Sequence, residues 1–168
     1  MLKFLIRKYA WLFFLLGFVI ALLGIRILYI KSLSPYEFIL KDDYADATVS
    51  PAELLIQERI GETDKHIVFF INQKGDYSCA ILKETLISYK IVGYSGSLSN
   101  KNDDTYLYAK LKDGDDFVEV CWGILNDASI SSVVLDEDSC FISKTDYPNL
   151  RIFWLIDHWE EMPTLTMS

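Results

Sequence analysis

The sequence predicts a mainly β fold of the α+β class, attached to an N-terminal transmembrane helix. Three features support this prediction: an apolar run near the N-terminus, helix-start signals at residues 50–53, and short alternating runs from Lys65 onward that are separated by turn residues. No segment after Gly61 is suited to a crossover helix, so consecutive strands should pair antiparallel. We therefore expect one short helix and a meander of about seven or eight strands, curled into a sandwich or half-barrel.

Length and composition set the domain organisation. The chain has 168 residues, of which 51% are hydrophobic and 14% aromatic, so it can bury one core and is not disordered throughout. The expected division is a cytoplasmic N-terminus at residues 1–8, a transmembrane helix at 9–30, a linker at 31–49 and an extracytoplasmic β-rich domain at 50–168.

The transmembrane prediction depends on the run YAWLFFLLGFVIALLGI at residues 9–25, whose only ionisable group is the phenol of Tyr9. Extension to Ile30 adds a single charged residue, Arg26, whose long side chain can reach the headgroups. A helix of this length spans about 33 Å, which matches a hydrocarbon core of about 30 Å. The lipid bilayer is therefore the first expected partner.

Charge around the apolar run indicates its orientation. Lys3, Arg7 and Lys8 precede the run, whereas Arg26 and Lys31 lie at its far end. This bias favours a cytoplasmic N-terminus, with the rest of the chain outside the cell membrane as a single-pass protein. A cleaved signal peptide is the alternative, but bulky residues follow the run where signal peptidase requires small ones. We favour an uncleaved signal anchor.

The predicted domain is acidic. Residues 1–31 carry five basic and no acidic residues, which leaves 11 basic and all 24 acidic residues beyond them and a net charge of −13. A domain of this charge repels phosphate backbones, so no nucleic-acid partner is expected. Its surplus of carboxylates also keeps the domain soluble.

The short helix is predicted at residues 51–60. Ser50 supplies an N-cap, Pro51 the first helical residue and Glu53 the capping-box partner, and Gly61 provides a stop.

Strands are predicted in the segments with β-branched and aromatic alternation, with a hairpin turn at Asp113-Gly114. Their ranges are 66–72, 77–83, 87–95, 105–111, 117–125, 129–136, 139–143 and 150–156. The polar stretch 95–104 should form an exposed loop, and the tail after His158 should fray.

Alternation within 105–111 predicts which side chains are exposed. Leu107, Ala109 and Leu111 share one face, and Tyr106, Tyr108 and Lys110 share the other. The leucine face belongs in the core, as do Trp122 and Trp154, so the tyrosines are the better candidates for an exposed patch. Together with two polar loops they form the candidate contact surface: Tyr106, Tyr108, Asn102, Asp104, Asp113 and Asp115.

Catalytic motifs are missing from the sequence. The two histidines, His66 and His158, have no partner at a spacing that forms a triad, and no G-x-S-x-G elbow or phosphate-binding glycine loop occurs. We therefore assign no catalytic residue and no cofactor.

No metal site is assigned either. The cluster Asn100, Asn102, Asp103 and Asp104 resembles the start of an EF-hand, but Thr105 and Leu111 replace the required Gly and Glu. An irregular Ca²⁺ site there, or at the second cluster of Asp113, Asp115 and Asp116, is the alternative to two solvated loop tips. Cys79, Cys121 and Cys140 lack C-x-x-C spacing. We expect them to be small apolar side chains in strands; a single disulfide that leaves one thiol free is the alternative.

Three segments carry a family resemblance: SPAELLIQERI, CWGILNDASISSVVLD and the closing RIFWLI. With the basic start and single apolar helix, they resemble small single-pass membrane-anchored proteins of Gram-positive, Bacillus-type bacteria that contain a domain of unknown function. The resemblance implies that RIFWLI completes a β-domain, and it implies no catalytic residue.

The sequence thus favours a membrane-anchored extracytoplasmic binding or regulatory module rather than an enzyme, with an envelope protein or cell-wall ligand as partner. An envelope hydrolase that uses acidic residues is the first alternative, and an immunity or accessory protein that acts through its membrane helix is the second.

Overall fold

A computed structural model describes residues 2–42, 49–99, 106–159 and 161–168, with side chains from Trp11 onward in the first helix. Two helices come first, α1 at Leu2–Lys31 and α2 at Pro35–Ile39. The strands are β1 Pro51–Arg59, β2 Lys65–Asn72, β3 Tyr77–Glu84, β4 Tyr89–Leu98, β5 Tyr106–Asp113, β6 Asp116–Leu125, β7 Val133–Leu135, β8 Asp138–Ser139, β9 Phe141–Lys144, β10 Arg151–Asp157 and β11 Leu165–Met167. The fold class expected from the sequence is confirmed.

The central part of helix α1 is apolar on every side, with Arg26 as its one charged residue. The span Trp11–Tyr29 covers 19 residues with a mean hydropathy of 2.5, and none of it is buried within the protein. By length and composition this helix can cross a membrane.

Two four-stranded antiparallel sheets pack face to face. Sheet A has the order β1-β2-β3-β4, and sheet B has the order β5-β6-β10-β9. The core between them contains Ile67, Phe69 and Ile81 from sheet A and Val120, Trp122 and Ile152 from sheet B. Alternation along the strands sends these side chains inward, because every second residue of a strand shares a face.

One corner of the sandwich brings strands β4 and β5 unusually close. A Cβ atom at Gly93 would lie 3.1 Å from Leu111 Cδ2, and Gly96 has a φ of +89° and lies against Leu107. A side chain at position 93 would force Leu111 to shift by a few tenths of an ångström, and one at position 96 would strain the backbone.

A third sheet, sheet C, covers the outer face of sheet B. Its order is β11-β7-β8, with Leu165 opposite Leu135 and Met167 opposite Val133. Beneath it lies a second core that includes Cys121, Leu155 and Phe153.

Helix α2 covers the outer face of sheet A. Ile39 is buried against Val68, Phe70 and Leu82. The helix begins with a complete capping box, in which the backbone N–H of Glu37 donates to Ser34 Oγ at 3.2 Å and the backbone N–H of Ser34 donates to the Glu37 carboxylate at 2.7 Å. The layers therefore run α2, sheet A, sheet B and sheet C.

The prediction of a helix at 51–60 is wrong, because this segment is strand β1. The pattern S-P-x-E occurs twice in the chain, and the capping box forms at the first copy, residues 34–37. At the second copy Pro51 begins an edge strand, where its missing N–H costs no ladder hydrogen bond, and the segment pairs with β2. Pairing with a sheet edge outweighs local helix signals.

Three further predictions differ in part from the structure. The tail after His158 is partly ordered, since β11 pairs with β7 and buries Pro163 nearby. The predicted loop at 95–104 begins later, because β4 runs to Leu98 with Ser95 and Leu98 buried; residues 100–105 lie outside the described part of the chain. The strands of sheet A pair in chain order, as the predicted meander requires. Sheet B departs from this order, because β10 and not β7 pairs with β6.

Candidate functional site

The two ends of the sandwich differ in chemistry. The hairpin turns β1–β2, β3–β4 and β5–β6 meet at one end, which we call the lysine end after the residues described next. The β2–β3 and β9–β10 turns lie at the opposite end, which we call the groove end.

Three lysines form a row across the inner face of sheet A at the lysine end. Lys65 of β2 is directly opposite Lys83 of β3, and Lys83 is directly opposite Lys90 of β4. Like charges in opposite register repel each other, so this row is unfavourable unless an anion compensates it.

Asp113 of the facing sheet supplies that anion. Its carboxylate lies 3.6 Å from Lys65 Nζ, 3.4 Å from Lys83 Nζ and 3.8 Å from Lys90 Nζ, and its side chain is only 9% exposed. The row and Asp113 together close the open end of the core. Because the carboxylate is occupied by lysines, it is poorly placed to bind Ca²⁺ or a partner.

A second cluster lies on the outer face at the same end. Glu84 Oε2 is 3.7 Å from His66 Nε2 and 3.8 Å from Arg59 Nη2. The ring of Tyr89 meets His66 edge-on, with centroids 5.4 Å apart, and Tyr89 also contacts Phe38 of α2. His66 Nε2 is buried and has no hydrogen-bond partner among the described residues. This cluster joins sheet A to α2.

An open groove of about 390 Å³ lies at the groove end. Its walls include Lys144 and Arg151, which are directly opposite in the β9–β10 register, together with Thr145, Tyr147 and Asn149. Arg151 Nη2 donates to the carbonyl of Asp127 at 2.6 Å. Lys144 is exposed and forms no ion pair within the described residues.

Glu119 is a buried carboxylate on the outer face of sheet B, with 3% exposure. It forms an ion pair with Lys110, and it accepts hydrogen bonds from the backbone N–H of Trp159 at 3.0 Å and from the Tyr108 hydroxyl at 2.8 Å. Lys110 and then the Trp159 amide hold the pKa of Glu119 at about 2, against the effect of burial. The network fastens the C-terminal segment to sheet B.

Tyr106 and Tyr108 lie on the face opposite the leucines, as predicted, but they are not an exposed patch. Both are half-buried in the second core, and the Tyr108 ring meets Trp159 edge-on at 5.9 Å. Burial and the bond to Glu119 raise the pKa of Tyr108 to about 12. The sequence does not indicate this role because Trp159 and β11, which cover these tyrosines, lie in the tail after His158 that is predicted to fray.

The other predicted contact residues are scattered. Asn102 and Asp104 lie outside the described part of the chain. Asp115 is exposed in the β5–β6 turn, whereas its neighbour Asp113 is held by the lysine row. Within the described ranges, no group of three His, Cys, Asp or Glu side chains converges to hold a metal ion.

The three cysteines are thiols. Cys79 and Cys121 are buried in strands, as predicted, and Cys140 is half-buried between β8 and β9. Burial raises the pKa of Cys121 to about 12 and that of Cys140 to about 11, so both are poor nucleophiles at neutral pH.

Glu119 and Lys144 are the residues that sequence reasoning missed. A signal for Glu119 was present, since an acid flanked by inward-facing valines in β6 stands opposite Lys110 in the adjacent hairpin strand. No local pattern distinguishes Lys144, because its groove is formed by segments far apart in sequence.

Comparison of the chain with protein-family models, curated proteins and solved structures finds no match in any of the three.

Replacing Asp113 by Asn should destabilise the protein by about 1 kcal/mol, because three partly exposed lysines lose their shared counter-charge. Added salt should reduce the loss by screening the repulsion. Chemical unfolding of the full chain in detergent micelles measures both effects. The control is Asp115→Asn in the same turn, which should leave stability unchanged; equal losses in the two variants would contradict the compensating role.

Protonation of Glu119 should destabilise the fold in acid. Its pKa of about 2 lies below the value of about 4.3 in an unfolded chain, so its contribution is complete above about pH 4.3 and is lost as the pH falls toward 2. Glu119→Gln should therefore be less stable than wild type at neutral pH and should converge with it near pH 2. Unfolding curves across this range test the convergence, and the exposed Glu62→Gln should keep the wild-type profile.

Proposed function

We propose that this protein is a single-pass, membrane-anchored binding module with its N-terminus in the cytoplasm and its acidic β-domain outside. The observation that carries the proposal is α1, whose apolar span Trp11–Tyr29 has no buried part and which only three residues separate from α2, the helix packed on sheet A. Water would solvate the exposed leucine and phenylalanine side chains of α1 poorly, and a bilayer would solvate them well.

The short connection supports a role at the membrane surface. Only residues 32–34 separate α1 from α2, and α2 is packed on sheet A. The domain is therefore held within a thin layer next to the bilayer, which raises its effective concentration toward envelope proteins or cell-wall ligands.

The pKa values of carboxyl groups support a binding function over hydrolysis. A general acid at neutral pH needs a raised pKa. Hydrogen bonds lower the pKa values of Glu37, Glu119 and Asp127, the first through Ser34, the second through Lys110 and the third through Ser129, which is the opposite of what a general acid needs.

The groove end is the contact surface in this proposal. Its groove is open and has walls of both polar and apolar character, and Lys144 and Arg151 give it two cations within an acidic domain. Such a surface suits an extended ligand that carries a carboxylate or another anion.

The anchor can be tested in cells. Full-length protein should remain in the membrane pellet after alkaline carbonate extraction, and protease added to intact cells or spheroplasts should digest the β-domain. Replacement of residues 9–30 by an unrelated transmembrane helix should preserve both results and any partner binding. Release by carbonate, or protection from external protease, would overturn the proposal; loss of binding after the helix exchange would favour action through the helix itself.

Charge reversal in the groove tests the contact surface. The full chain, solubilised in mild detergent after crosslinking in native membranes, should retain its envelope partner, and Lys144→Glu should lose most of it. The control is Lys74→Glu, an exposed lysine in the β2–β3 turn at the same end. If both variants retain equal amounts of the partner, the groove is not the contact surface. If the wild-type chain retains no partner, the binding function is contradicted.

A further inference from the structure

The β3–β4 turn at the lysine end carries two apolar residues at its apex. Leu86 is 91% exposed and Ile87 is 54% exposed. Turn positions of this kind usually carry Gly, Asn, Asp or Pro, because these residues have either a backbone conformation that fits the turn or a polar side chain. Leu and Ile neither fit the bend nor interact well with water. Their presence at the apex therefore indicates that another surface covers them and removes them from water.

The turn holds this apolar pair rigidly. The backbone N–H of Thr85 donates to the Ser88 carbonyl at 2.7 Å, and the Ser88 N–H returns a bond to Thr85 Oγ1 at 3.0 Å. The Thr85 hydroxyl also donates to the Ser88 carbonyl at 2.8 Å. Leu86 and Ile87 thus project from a closed two-residue loop, and little conformational entropy is lost when they are buried.

Contacts connect this turn to the end of α1. The Lys41 ammonium donates to the Tyr29 hydroxyl at 2.6 Å, so the last turns of α1 touch the segment that follows α2. Phe38 of α2 contacts the ring of Tyr89, which begins β4 directly after the turn. Tyrosine near the end of a transmembrane helix lies at the membrane interface, which places α2 at that level.

From these contacts we propose that the turn at residues 85–88 inserts Leu86 and Ile87 into the interface of the leaflet from which α1 emerges. The bilayer then holds the β-domain at two points, and the groove end faces away from the membrane. This inference rests on the proposed function, since it requires α1 to span the bilayer.

The charges at this end indicate that burial of apolar side chains, and not electrostatic attraction to lipid headgroups, drives the insertion. The lysine end has nearly balanced charge, with five cations and six anions around its three hairpin turns: Arg59, Lys65, Lys83, Lys90, Lys112, and Glu62, Asp64, Glu84, Asp113, Asp115, Asp116. Binding should therefore need no anionic lipid and should change little with salt.

An environment-sensitive fluorophore on Leu86→Cys tests the proposal. The full chain is reconstituted into phosphatidylcholine vesicles whose acyl chains carry a spin-label quencher. The Leu86 label should show blue-shifted emission and several-fold quenching, unchanged by salt or by added phosphatidylglycerol. The control, Lys74→Cys at the groove end, should show neither. Cys79 and Cys121 are buried, and the wild-type chain gives the labelling background of Cys140.

A label at a third position distinguishes failure of this inference from failure of the proposed membrane anchor. A Cβ atom at Gly17, within α1, meets no other atom within 4 Å, so Gly17→Cys fits there. Quenching at Gly17 with none at Leu86 overturns only the second attachment, whereas absence of quenching at Gly17 overturns the anchor as well. A blue shift at Leu86 in native membranes that is absent from lipid-only vesicles would identify a protein partner at the turn and overturn the lipid proposal.

Discussion

The contact between the inner faces of sheets A and B is the constraint on which the other features depend. Trp122 lies at its centre, fully buried, with its ring 5.4 Å from that of Phe69. The indole N–H donates to Ser95 Oγ at 2.7 Å, which satisfies a donor that would otherwise be unpaired in the core. With this interface formed, each sheet offers an outer face, and α2 and sheet C cover the two outer faces.

The same interface creates the chemistry of the lysine end. Register places three lysines side by side at the open end of the core, and the packing of β5 brings Asp113 against all of them. The Asp113 carboxylate therefore contacts all three lysines of a charge row that belongs to the other sheet, and Asp64 adds a second ion pair to Lys83 at 3.9 Å. On the outer face of sheet B, Glu119 has a comparable role for the C-terminal segment, which it fastens through Trp159. Both carboxylates are structural, and the candidate contact groove lies at the opposite end.

Sequence reasoning predicted what depends on alternation and hydropathy, namely α1, the β class, most strand positions and the inward direction of Trp122 and Trp154. It failed where two segments carried the same local signal. Residues 34–37 and 50–53 both read S-P-x-E, and only tertiary pairing decides that the second copy joins the edge of sheet A. The groove around Lys144 was beyond prediction for a similar reason, since its walls come together only after β9 and β10 pair.

The three-residue connection between α1 and α2 has a mechanical consequence. A long Gly/Ser-rich tether behaves as a random coil and lets a domain tumble freely. Here the Lys41 ammonium also lies 4.4 Å from the centre of the Tyr29 ring, so the segment that follows α2 contacts α1 beside the junction. A rotation of α1 would therefore be transmitted to the sandwich, because the short connection and the Lys41 contact leave little freedom between them.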